Sequence, residues 1–579
     1  MRPLSLLAAL SVLLLNSCYS PGDGKAPPLE ELYFPTGLAL DGLAKSDDGY
    51  GHSVPKYLYV VNSDFDLQYR AASVISYDLD RLREVVPRNC NATADCGPGG
   101  GICDAPGVAG IPDDPTRVPS YFCVDPGTTA PCPFGERDEA DLVLTPGRCK
   151  SIDPLSPLKK LLVDSVGIGA FATDVIWRAK PKADSNPKAD SKHQSRLFIP
   201  VRGDSTLHWI DLDSSDGYPN GDGHFSCGQN GSDDDRCNEQ HRSGDSTSDN
   251  PDQLLQPPEP YAVDATADGG FVAVTNQTSG NVSLYANDWS DRGPKLASIL
   301  NGLPQTPVAI AAVPPAAVAS GELPEEAGFL VAYRSASQVD LLRVHTDPFT
   351  GPSGVSYTRD GLRPAGSAPI NANSLGFDSR GIAIDDAQRQ KDYAACRAAQ
   401  CGPPNTSTEC VTQLTQCLRA AHQPAVYVAS RAPASLLVGA MTADLSATGT
   451  NDLPSFTDTV PLTFGPSRVI LGEVRVPGTA DSVLSDDAGP YELERRVFVV
   501  CFDSRRIFVY DPQRRVIDSI VSTGRGPYAL AIDGARGLAY LGHFTDSYLG
   551  VISLDQRFPK TYATIVASIG APKSPRSSK

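Results

Sequence analysis

The fold is decided by a stretch of sixteen residues, Arg496 to Asp511, which reads RVFVVCFDSRRIFVYD. Two apolar runs rich in β-branched and aromatic side chains flank the polar turn Asp503-Ser504-Arg505. This pattern is typical of an antiparallel β-hairpin. Cys501 lies inside the first run, so we predict that it is a buried small apolar residue rather than a nucleophile.

Six further copies of this two-strand pattern occur along the chain, which makes seven in all. Their first strands begin at Leu58, Leu197, Phe271, Phe329, Val426 and Leu538. A second signature precedes most copies: a proline, a variable residue, a small residue and an aliphatic residue. It reads PTGL at 35–38, PYAV at 260–263, PVAI at 307–310 and PYAL at 527–530. The stretch PSRV at 466–469 fits it loosely, and ATDV at 172–175 and GIAI at 381–384 lack the proline.

The spacing of the copies predicts how they assemble. Pro260 and Pro307 are 47 residues apart, close to the length of a four-stranded propeller blade. The seven copies therefore predict an all-β fold, a seven-bladed β-propeller over residues 33–570. An array of β-sandwiches is the alternative for alternating strands, but the repeated proline signature favours a single ring.

The repeats resemble the YVTN-type β-propeller family. The closest match to the family's name is Tyr59-Val60-Val61-Asn62, and Ala273-Val274-Thr275-Asn276 is a second, partial match. The resemblance covers roughly residues 33–570 and implies a closed ring of four-stranded blades. Members of the family include bacterial surface proteins and proteins similar to propeller lactonases. The repeat carries no catalytic motif, so the resemblance implies a fold and leaves the activity open.

Insertions make the blades uneven in length. We expect the blades near 33–89, 150–215, 256–304, 305–349, 370–465, 466–524 and 525–570. Three insertions interrupt them: a six-cysteine module at 90–149, an acidic loop at 211–252 and a helical hairpin at 386–423. Residues 571–579 are expected to form a disordered tail.

The charge of the chain is concentrated in two of these insertions. The 579 residues carry a formal net charge of −18. Residues 211–252 hold ten Asp and one Glu against two Arg, and residues 90–149 hold seven Asp and two Glu against three Arg. Phosphate binding needs clustered Lys and Arg, so we expect no nucleic-acid partner. Cations or a basic partner would meet the protein at these two loops.

The N-terminus has the pattern of an export signal. Residues 4–15 are almost wholly apolar and follow Arg2, and a run of about 12 residues is too short to span a bilayer, which takes about 20. The run ends in LNSC at 15–18, which resembles a bacterial lipoprotein lipobox. An ordinary secretory signal followed by a chance cysteine is the alternative.

The lipobox resemblance implies a lipid-anchored protein. Residues 1–17 would be a signal peptide removed before Cys18, the Cys18 thiol would carry a diacylglyceryl group, and 18–32 would be a tether. Several acyl chains give a stable membrane anchor where one would not. Residue 19 is Tyr rather than the Asp that often retains lipoproteins on the inner membrane. We therefore expect an outer-membrane or cell-surface location.

Twelve of the other thirteen cysteines fall in even-numbered local groups. The groups are Cys90, Cys96, Cys103, Cys123, Cys132 and Cys149; Cys227 and Cys237; and Cys396, Cys401, Cys410 and Cys417. Such groups in an exported chain are typical of disulfides, whose pairing the sequence leaves open. In the helical hairpin, Cys396 and Cys401 would face Cys410 and Cys417. Zinc is the alternative, disfavoured because no C-x-x-C pair occurs and His is rare near the groups.

One acidic tract has the composition of a calcium loop. Its oxygen-bearing side chains are Asp211, Asp213, Asp216, Asn220 and Asp222. Dense side-chain oxygens on a Gly-rich loop can wrap Ca²⁺, which takes 6–8 oxygen ligands. The EF-hand pattern fails because Asp216 stands where its Gly should be. A solvated acidic loop is the alternative, and no cofactor other than calcium is expected.

No catalytic motif is legible in the chain. Nucleophile elbow, H-E-x-x-H, Walker A and dinucleotide-binding patterns are all absent. His208 and His543 lie on or beside predicted strands, where a hydrogen-bonded blade histidine is favoured over a catalytic one. We therefore favour a lipid-anchored cell-envelope scaffold that binds an envelope protein or glycan. The alternatives are a propeller lactonase-like hydrolase with its site in the axial funnel, and a structural envelope component.

Overall fold

The computed structural model describes most of the chain with several gaps. The described residues are 25–42, 54–86, 90, 102–104, 122–124, 150–157, 160–181, 193–213, 223–229, 235–246, 254–314, 327–350, 356–370, 377–401, 416–417, 421–441, 453–479, 482, 484–486 and 489–572. The predicted signal peptide, tether start, calcium-loop tip and C-terminal tail lie outside these residues. Within the described part, no helix is long and apolar enough to cross a membrane.

Seven antiparallel sheets form the blades of a propeller, as predicted. Blade 1 contains β1 (Pro35–Leu40), β2 (Tyr57–Asn62), β3 (Ala72–Asp78) and β6 (Leu162–Ile168). Blade 2 contains β7 (Ile176–Ala179), β8 (His193–Val201), β9 (Thr206–Asp213), β10 (Phe225–Ser226) and β11 (Arg242–Ser243). Blade 3 contains β12 (Pro260–Ala265), β13 (Phe271–Asn276), β14 (Asn281–Ala286) and β15 (Lys295–Leu300). Blade 4 contains β16 (Pro307–Ala312), β17 (Gly328–Tyr333), β18 (Gln338–Thr350) and β19 (Ser356–Pro369).

The last three blades follow the same order of strands. Blade 5 contains β20 (Phe377–Asp385), β21 (Ala425–Ala432), β22 (Ala434–Met441) and β23 (Pro454–Pro461). Blade 6 contains β24 (Pro466–Pro477), β25 (Leu484–Asp486), β26 (Gly489–Cys501), β27 (Arg506–Asp511) and β28 (Val516–Ser522). Blade 7 contains β29 (Pro527–Asp533), β30 (Leu538–His543), β31 (Tyr548–Ser553) and β32 (Ile565–Ile569).

The elements outside the blades are short. β4 (Ile102–Asp104) pairs with β5 (Phe122–Val124) inside the six-cysteine module. Helix α1 (Leu79–Val85) follows blade 1's third strand, and Asp78 caps it by accepting from two backbone amides. Helix α2 (Ala387–Cys401) is the first arm of the helical hairpin predicted at 386–423. A single 3-10 turn spans Glu239–His241.

The predicted boundaries of three blades are wrong. Blade 1 does not end at residue 89, because its fourth strand β6 lies beyond the six-cysteine module and pairs Ile168 with Ala72. Blade 2 does not end at residue 215, because β10 and β11 pair with β9 from within the predicted acidic loop. Blade 4 does not end at residue 349, because its fourth strand β19 pairs Pro369 with Gln338.

The proline signature marks a repeated backbone device at the start of each inner strand. In six blades the residue before the signature has a positive φ: Phe34, Phe171, Glu259, Thr306, Gly465 and Gly526. In blade 5 the pairing aligns Ser379-Arg380-Gly381-Ile382 with the signature, two residues before the predicted GIAI stretch, and the positive-φ residue is Asp378. One to two residues later the pairing with the second strand shifts by a β-bulge in six blades. A bulge re-aims a side chain away from the sheet surface. The second residue of the signature, which we call the bulge position, is therefore turned out of the ladder.

A backbone hydrogen bond holds this strained start in place. In six blades the first residue after the second strand donates its amide to the carbonyl of the positive-φ residue. We call this first residue the turn position. Its six amides are those of Ser63, Arg202, Gln277, Arg334, Phe502 and Phe544, with N···O distances between 2.7 and 3.1 Å. Non-glycine residues at positive φ persist where the surroundings over-determine them, as here.

The two faces of the ring differ in their loops. We call the face on which the inner strands begin the mouth face, and the opposite face the far face. The six-cysteine module, the calcium tract and the helical hairpin all connect strands at their far ends. The described mouth-face turns are short except for residues 63–71 of blade 1 and the connection from β10 to β12, in which β11 pairs with the start of β9.

The ring closes by packing between blade 7 and blade 1. One core cluster joins Leu58 and Val60 of blade 1 to Tyr540 and Val551 of blade 7, each fully or almost fully buried. Ile152, which precedes β6, donates to the Ser568 carbonyl at 2.7 Å and accepts from the Gly570 amide at 2.9 Å. The insertion therefore returns to blade 1 along the outer strand of blade 7.

Candidate functional site

A cavity of about 250 Å³ opens at the mouth face, on the axis of the ring. It is built mainly from two positions that recur in the blades. The bulge position supplies Thr36, Thr173, Tyr261, Arg380, Ser467 and Tyr528, and the turn position supplies Ser63, Arg202, Phe502 and Phe544. Arg431 of β21 follows Ser430, the partner of Ser379, and takes the corresponding place in blade 5. Phe65, Phe171 and Ala172 complete the lining. We call this the axial cavity.

Three arginines line the axial cavity, Arg202 on blade 2 and Arg380 and Arg431 on blade 5. Arg202 donates to Glu259 at 2.7 Å, and Arg380 makes two hydrogen bonds to Asp378, at 2.5 and 3.2 Å. Arg431 donates to the Pro466 carbonyl at 3.1 Å and lies 3.4 Å from Asp503. A guanidinium has five N–H groups, so these contacts hold each arginine in place and leave donors for a ligand.

Aromatic rings line the axial cavity on the blades between these arginines, blades 6, 7 and 1. Phe65 packs against Phe544 with ring centroids 5.2 Å apart and against Phe171 at 6.1 Å, edge-on in both cases. Phe502 lies 6.4 Å from Phe544 and 6.4 Å from Tyr528. Offset and edge-to-face pairs of this kind are favourable. They give the axial cavity an apolar wall on blades 1, 6 and 7.

Two tyrosines meet across the axial cavity. The hydroxyls of Tyr261 on blade 3 and Tyr528 on blade 7 are 3.1 Å apart. The neighbouring Tyr528 and burial raise the pKa of Tyr261 above its ordinary value, so its phenol stays protonated. Thr36 and Thr173 donate to the carbonyls of Ala172 and Tyr261, at 2.9 and 2.7 Å.

An ion pair crosses the axis beside the axial cavity. The third position of the signature is Asp174 in blade 2 and Arg468 in blade 6, and their side chains approach to 2.8 Å. Arg468 also donates to the Thr36 and Thr173 carbonyls, at 3.3 Å each, and stacks over the Tyr528 ring at 4.5 Å. Burial lowers the pKa of Arg468, but Asp174 and Tyr528 together outweigh burial and hold that pKa above its usual range. The pair therefore ties blades 1, 2, 6 and 7 together.

The axial cavity offers hydrogen-bond donors and apolar surface. Among the described lining residues there is no His, Cys, Asp or Glu. Three carboxylates contact the lining arginines: Glu259 pairs with Arg202, Asp378 with Arg380 and Asp503 with Arg431.

The predicted disulfides are present in each cysteine group. Cys90 pairs with Cys103, Cys227 with Cys237, and Cys396 with Cys417. Cys123 is also disulfide-bonded. Cys96, Cys132, Cys149 and Cys410 lie outside the described residues, as does the side chain of Cys401. The Cys396–Cys417 bond joins α2 to the second arm of the helical hairpin, as expected.

Cys501 is free and fully buried, which confirms its predicted structural role. Burial raises the pKa of its thiol to about 11, so the reactive thiolate is disfavoured. Cys18, the predicted lipid attachment point, lies outside the described residues.

The structure uses one of the proposed calcium ligands for another contact. Asp211 is buried and accepts from Arg196 at 2.7 and 3.2 Å. The side chain of Asp213 and all of Asp216, Asn220 and Asp222 lie outside the described residues. Within the described part, no group of three or more His, Cys, Asp or Glu could hold a metal ion. The calcium hypothesis stays a prediction.

The two blade histidines have structural partners, as predicted. His208 lies 2.8 Å from Asp204. His543 accepts from the Gly524 amide at 3.2 Å and stacks on Tyr548 at 4.0 Å. Burial lowers the pKa of His543 to about 3, so the ring is neutral.

The residues that line the axial cavity were missed by the sequence interpretation, although the signal was present. The bulge position is the variable second residue of the proline signature, for example Thr36, Tyr261 and Tyr528. The turn position is the residue that follows the second strand of each hairpin. A residue that varies inside an otherwise regular repeat is free of the packing that fixes its neighbours, so it is the place to look for a ligand contact.

The fold and the site together define a seven-bladed β-propeller with an axial ligand-sized cavity. No known protein family's sequence profile matches the chain, and no curated protein matches it.

Several solved structures share the course of the chain at low identity. A periplasmic gluconolactonase of Pseudomonas aeruginosa is 11% identical, with 85% of this chain and 86% of that one covered and a TM-score of 0.39. A Lactobacillus plantarum protein is 12% identical, with 86% of each chain covered and a TM-score of 0.37. Saccharomyces cerevisiae Sqt1 is 6% identical, with 92% and 86% covered and a TM-score of 0.37. Similarities this distant carry no inference about function.

Proposed function

We propose that the chain is a ligand-binding β-propeller whose axial cavity takes a small organic acid with an apolar face. The observation that carries this proposal is the mixed lining. The axial cavity combines the guanidinium groups of Arg202, Arg380 and Arg431 with aromatic rings such as Phe502 and Phe544. A cavity of about 250 Å³ is below the range of roughly 300–1,000 Å³ for drug-sized ligands. The ligand is therefore the size of a single ring or short chain.

Charge-assisted hydrogen bonds explain the preference for an acid. Guanidinium groups bind carboxylate and phosphate oxygens through paired N–H donors. The donors here are already oriented by Glu259, Asp378 and Asp503, so little conformational entropy is lost on binding. A neutral apolar compound would leave these arginine donors without acceptors, and a purely polar acid would gain nothing from the phenylalanines.

Calorimetry on the purified protein tests this proposal. Phenylacetate and gluconate are the probes, because they share an acidic group and differ in apolar surface. We expect tighter binding of phenylacetate. Arg380→Gln should weaken it about tenfold or more, since a hydrogen bond to a charged group contributes about 1.5–3 kcal/mol. Arg380 suits this test because its substitution does not leave Asp378 without a cationic partner. Arg334 lies 3.4 Å from the Asp378 carboxylate.

The matched control is Arg292→Gln, which changes an exposed arginine on the far face. It should leave binding unchanged. Equal affinity of the parent and Arg380→Gln for both acids would overturn the proposal. Hydrolysis of glucono-δ-lactone by the parent, lost in Arg380→Gln, would replace it with the hydrolase alternative.

We also propose that the protein is anchored in the cell envelope by lipid on Cys18. The support is the LNSC stretch at 15–18 after an apolar run too short to span a bilayer. Metabolic labelling with a radioactive fatty acid should label the full chain and not the Cys18→Ser variant. Equal labelling of the two, or none in either, would contradict the anchor.

A further inference from the structure

Exposed apolar side chains gather on the mouth face. Phe65, Leu67 and Phe464 are 53%, 51% and 66% exposed. Phe65 and Leu67 lie in the mouth-face loop of residues 63–71, and Phe464 lies two residues before the inner strand of blade 6. Leu255, 58% exposed, lies in the connection that enters blade 3 at the same face. Large exposed apolar side chains grouped on one face indicate an interaction surface.

The N-terminal segment reaches the ring at this same loop. Lys25 forms a parallel bridge with Tyr69, and its carbonyl accepts from the Arg70 amide at 3.1 Å. From there the chain follows the mouth face to the start of β1, where the Phe34 amide donates to Ser547 at 3.1 Å. The first described residue is therefore fixed on the mouth face.

The chain before Lys25 is short. Cys18 and Lys25 are seven residues apart in the sequence, and a fully extended chain spans at most about 3.6 Å per residue, so the reach is about 25 Å. A lipid on Cys18 would hold the mouth-face loop within that distance of the membrane. The six-cysteine module and the helical hairpin connect strands at the far face, so neither keeps the mouth face away from a flat surface.

We propose that the mouth face is the membrane-facing side of the protein. With the chain anchored at Cys18, Phe65, Leu67 and Phe464 enter the lipid–water interface, and the axial cavity opens toward the bilayer. Apolar burial drives such insertion. This inference rests on the proposed lipid anchor and adds an orientation to it. Ligands of the axial cavity then arrive from the interfacial layer.

Tryptophan fluorescence in reconstituted vesicles tests the orientation. The full lipidated chain is placed in vesicles of phosphatidylcholine and phosphatidylglycerol, with and without brominated phosphatidylcholine as a quencher. Leu67→Trp is the reporter, and Val516→Trp is the matched control because Val516 is 47% exposed on an outer strand of blade 6. The parent's own tryptophan emission is subtracted.

We expect brominated lipid to remove much of the emission added by Leu67→Trp and little of that added by Val516→Trp. Phe464→Trp is a second reporter on a different blade, and it should be quenched like Leu67→Trp. Equal quenching at 67 and 516, or stronger quenching at 516, would overturn the orientation. Flotation of the vesicles separates the two proposals, because a chain that does not float with them has no anchor, and the orientation then falls with it.

Discussion

The inner strands carry charged side chains at both ends, and the two ends use them differently. At the far end Asp41, Asp385 and Asp533 occupy the same position in blades 1, 5 and 7. Asp41 accepts the Tyr57 amide at 2.8 Å, Asp385 accepts Arg495 at 3.1 Å, and Asp533 accepts Arg536 at 3.0 Å. At the mouth end the arginines of the axial cavity keep donors that no described residue uses.

The contacts of a charged group therefore indicate whether it stabilises the ring or is available to bind a ligand. A buried charge whose contacts are all internal stabilises the ring, because removing its partner strands it in a medium of low polarity. A charge at a cavity wall with spare donors has little to lose from substitution in the absence of ligand. Arg468 and Asp174 test the rule, since they stand at the mouth end but are paired like far-end residues.

The largest expected effect comes from breaking the axial ion pair. Arg468→Met leaves Asp174, 15% exposed, without its cation. It also removes the donor to the Thr36 and Thr173 carbonyls. Removing one partner of a buried pair costs about 3–5 kcal/mol. Denaturant unfolding should show a loss of this size in the free energy of unfolding.

The double variant Arg468→Met with Asp174→Leu is the control for this cycle. Replacing both members by apolar groups is often neutral, so the double variant should recover much of the lost stability. A single variant within about 1 kcal/mol of the parent would place Arg468 with the mouth-end arginines, because exposed pairs contribute that little.

A pH dependence should follow from the far end. Burial raises the pKa of Asp41 to about 7, against the stabilising effect of the Tyr57 amide. In the unfolded chain this carboxyl titrates near about 3.9. The folded state therefore prefers protonated Asp41, and this contribution is complete below about pH 4 and is lost as the pH rises through about 7.

Asp41→Asn should remove this dependence. Its free energy of unfolding, relative to the parent, should rise by up to about 4 kcal/mol between pH 4 and pH 8, since one pKa unit corresponds to about 1.4 kcal/mol. Thermal or denaturant unfolding across that range measures it. Asp291→Asn, at an exposed position on the far face, is the matched control. If the difference in free energy of unfolding between Asp41→Asn and the parent does not change with pH, the raised pKa is not that of Asp41.

A smaller loss of stability should follow substitution of the small third residue of the proline signature. A Cβ on Gly37 would lie 2.7 Å from a Val175 methyl and 2.9 Å from its amide nitrogen. Gly37→Ala should therefore push the inner strands of blades 1 and 2 apart, at a cost of about 1–3 kcal/mol. Gly42→Ala, at the far end of the same strand, is the control because its nearest contact is 3.4 Å. Equal unfolding midpoints for the two variants would show that the small residue is not required.

The sequence predicted the ring better than it predicted the site, for a physical reason. Hairpins such as 496–511 form between neighbouring residues, so their apolar pattern is visible in the sequence. Pro260 and Pro527 mark turns at which proline restricts the backbone. The fourth strand β6 pairs with β3 across the six-cysteine module, and no local pattern reports a partner so distant. The residues that line the axial cavity come from different blades and meet only when the ring closes. No local sequence pattern therefore links the variable positions to one another.

The smallest effect on stability should come from Arg202→Gln. Arg202 and Glu259 are 29% and 37% exposed, and a pair of this exposure contributes about 0–1 kcal/mol. The free energy of unfolding should therefore change by less than about 1 kcal/mol, compared with a loss of about 3–5 kcal/mol in Arg468→Met. Phenylacetate binding should nevertheless weaken, because the guanidinium donors face the axial cavity. If Arg202→Gln destabilises the fold as much as Arg468→Met does, the mouth-end arginines are structural, and the distinction between the two ends of the inner strands fails.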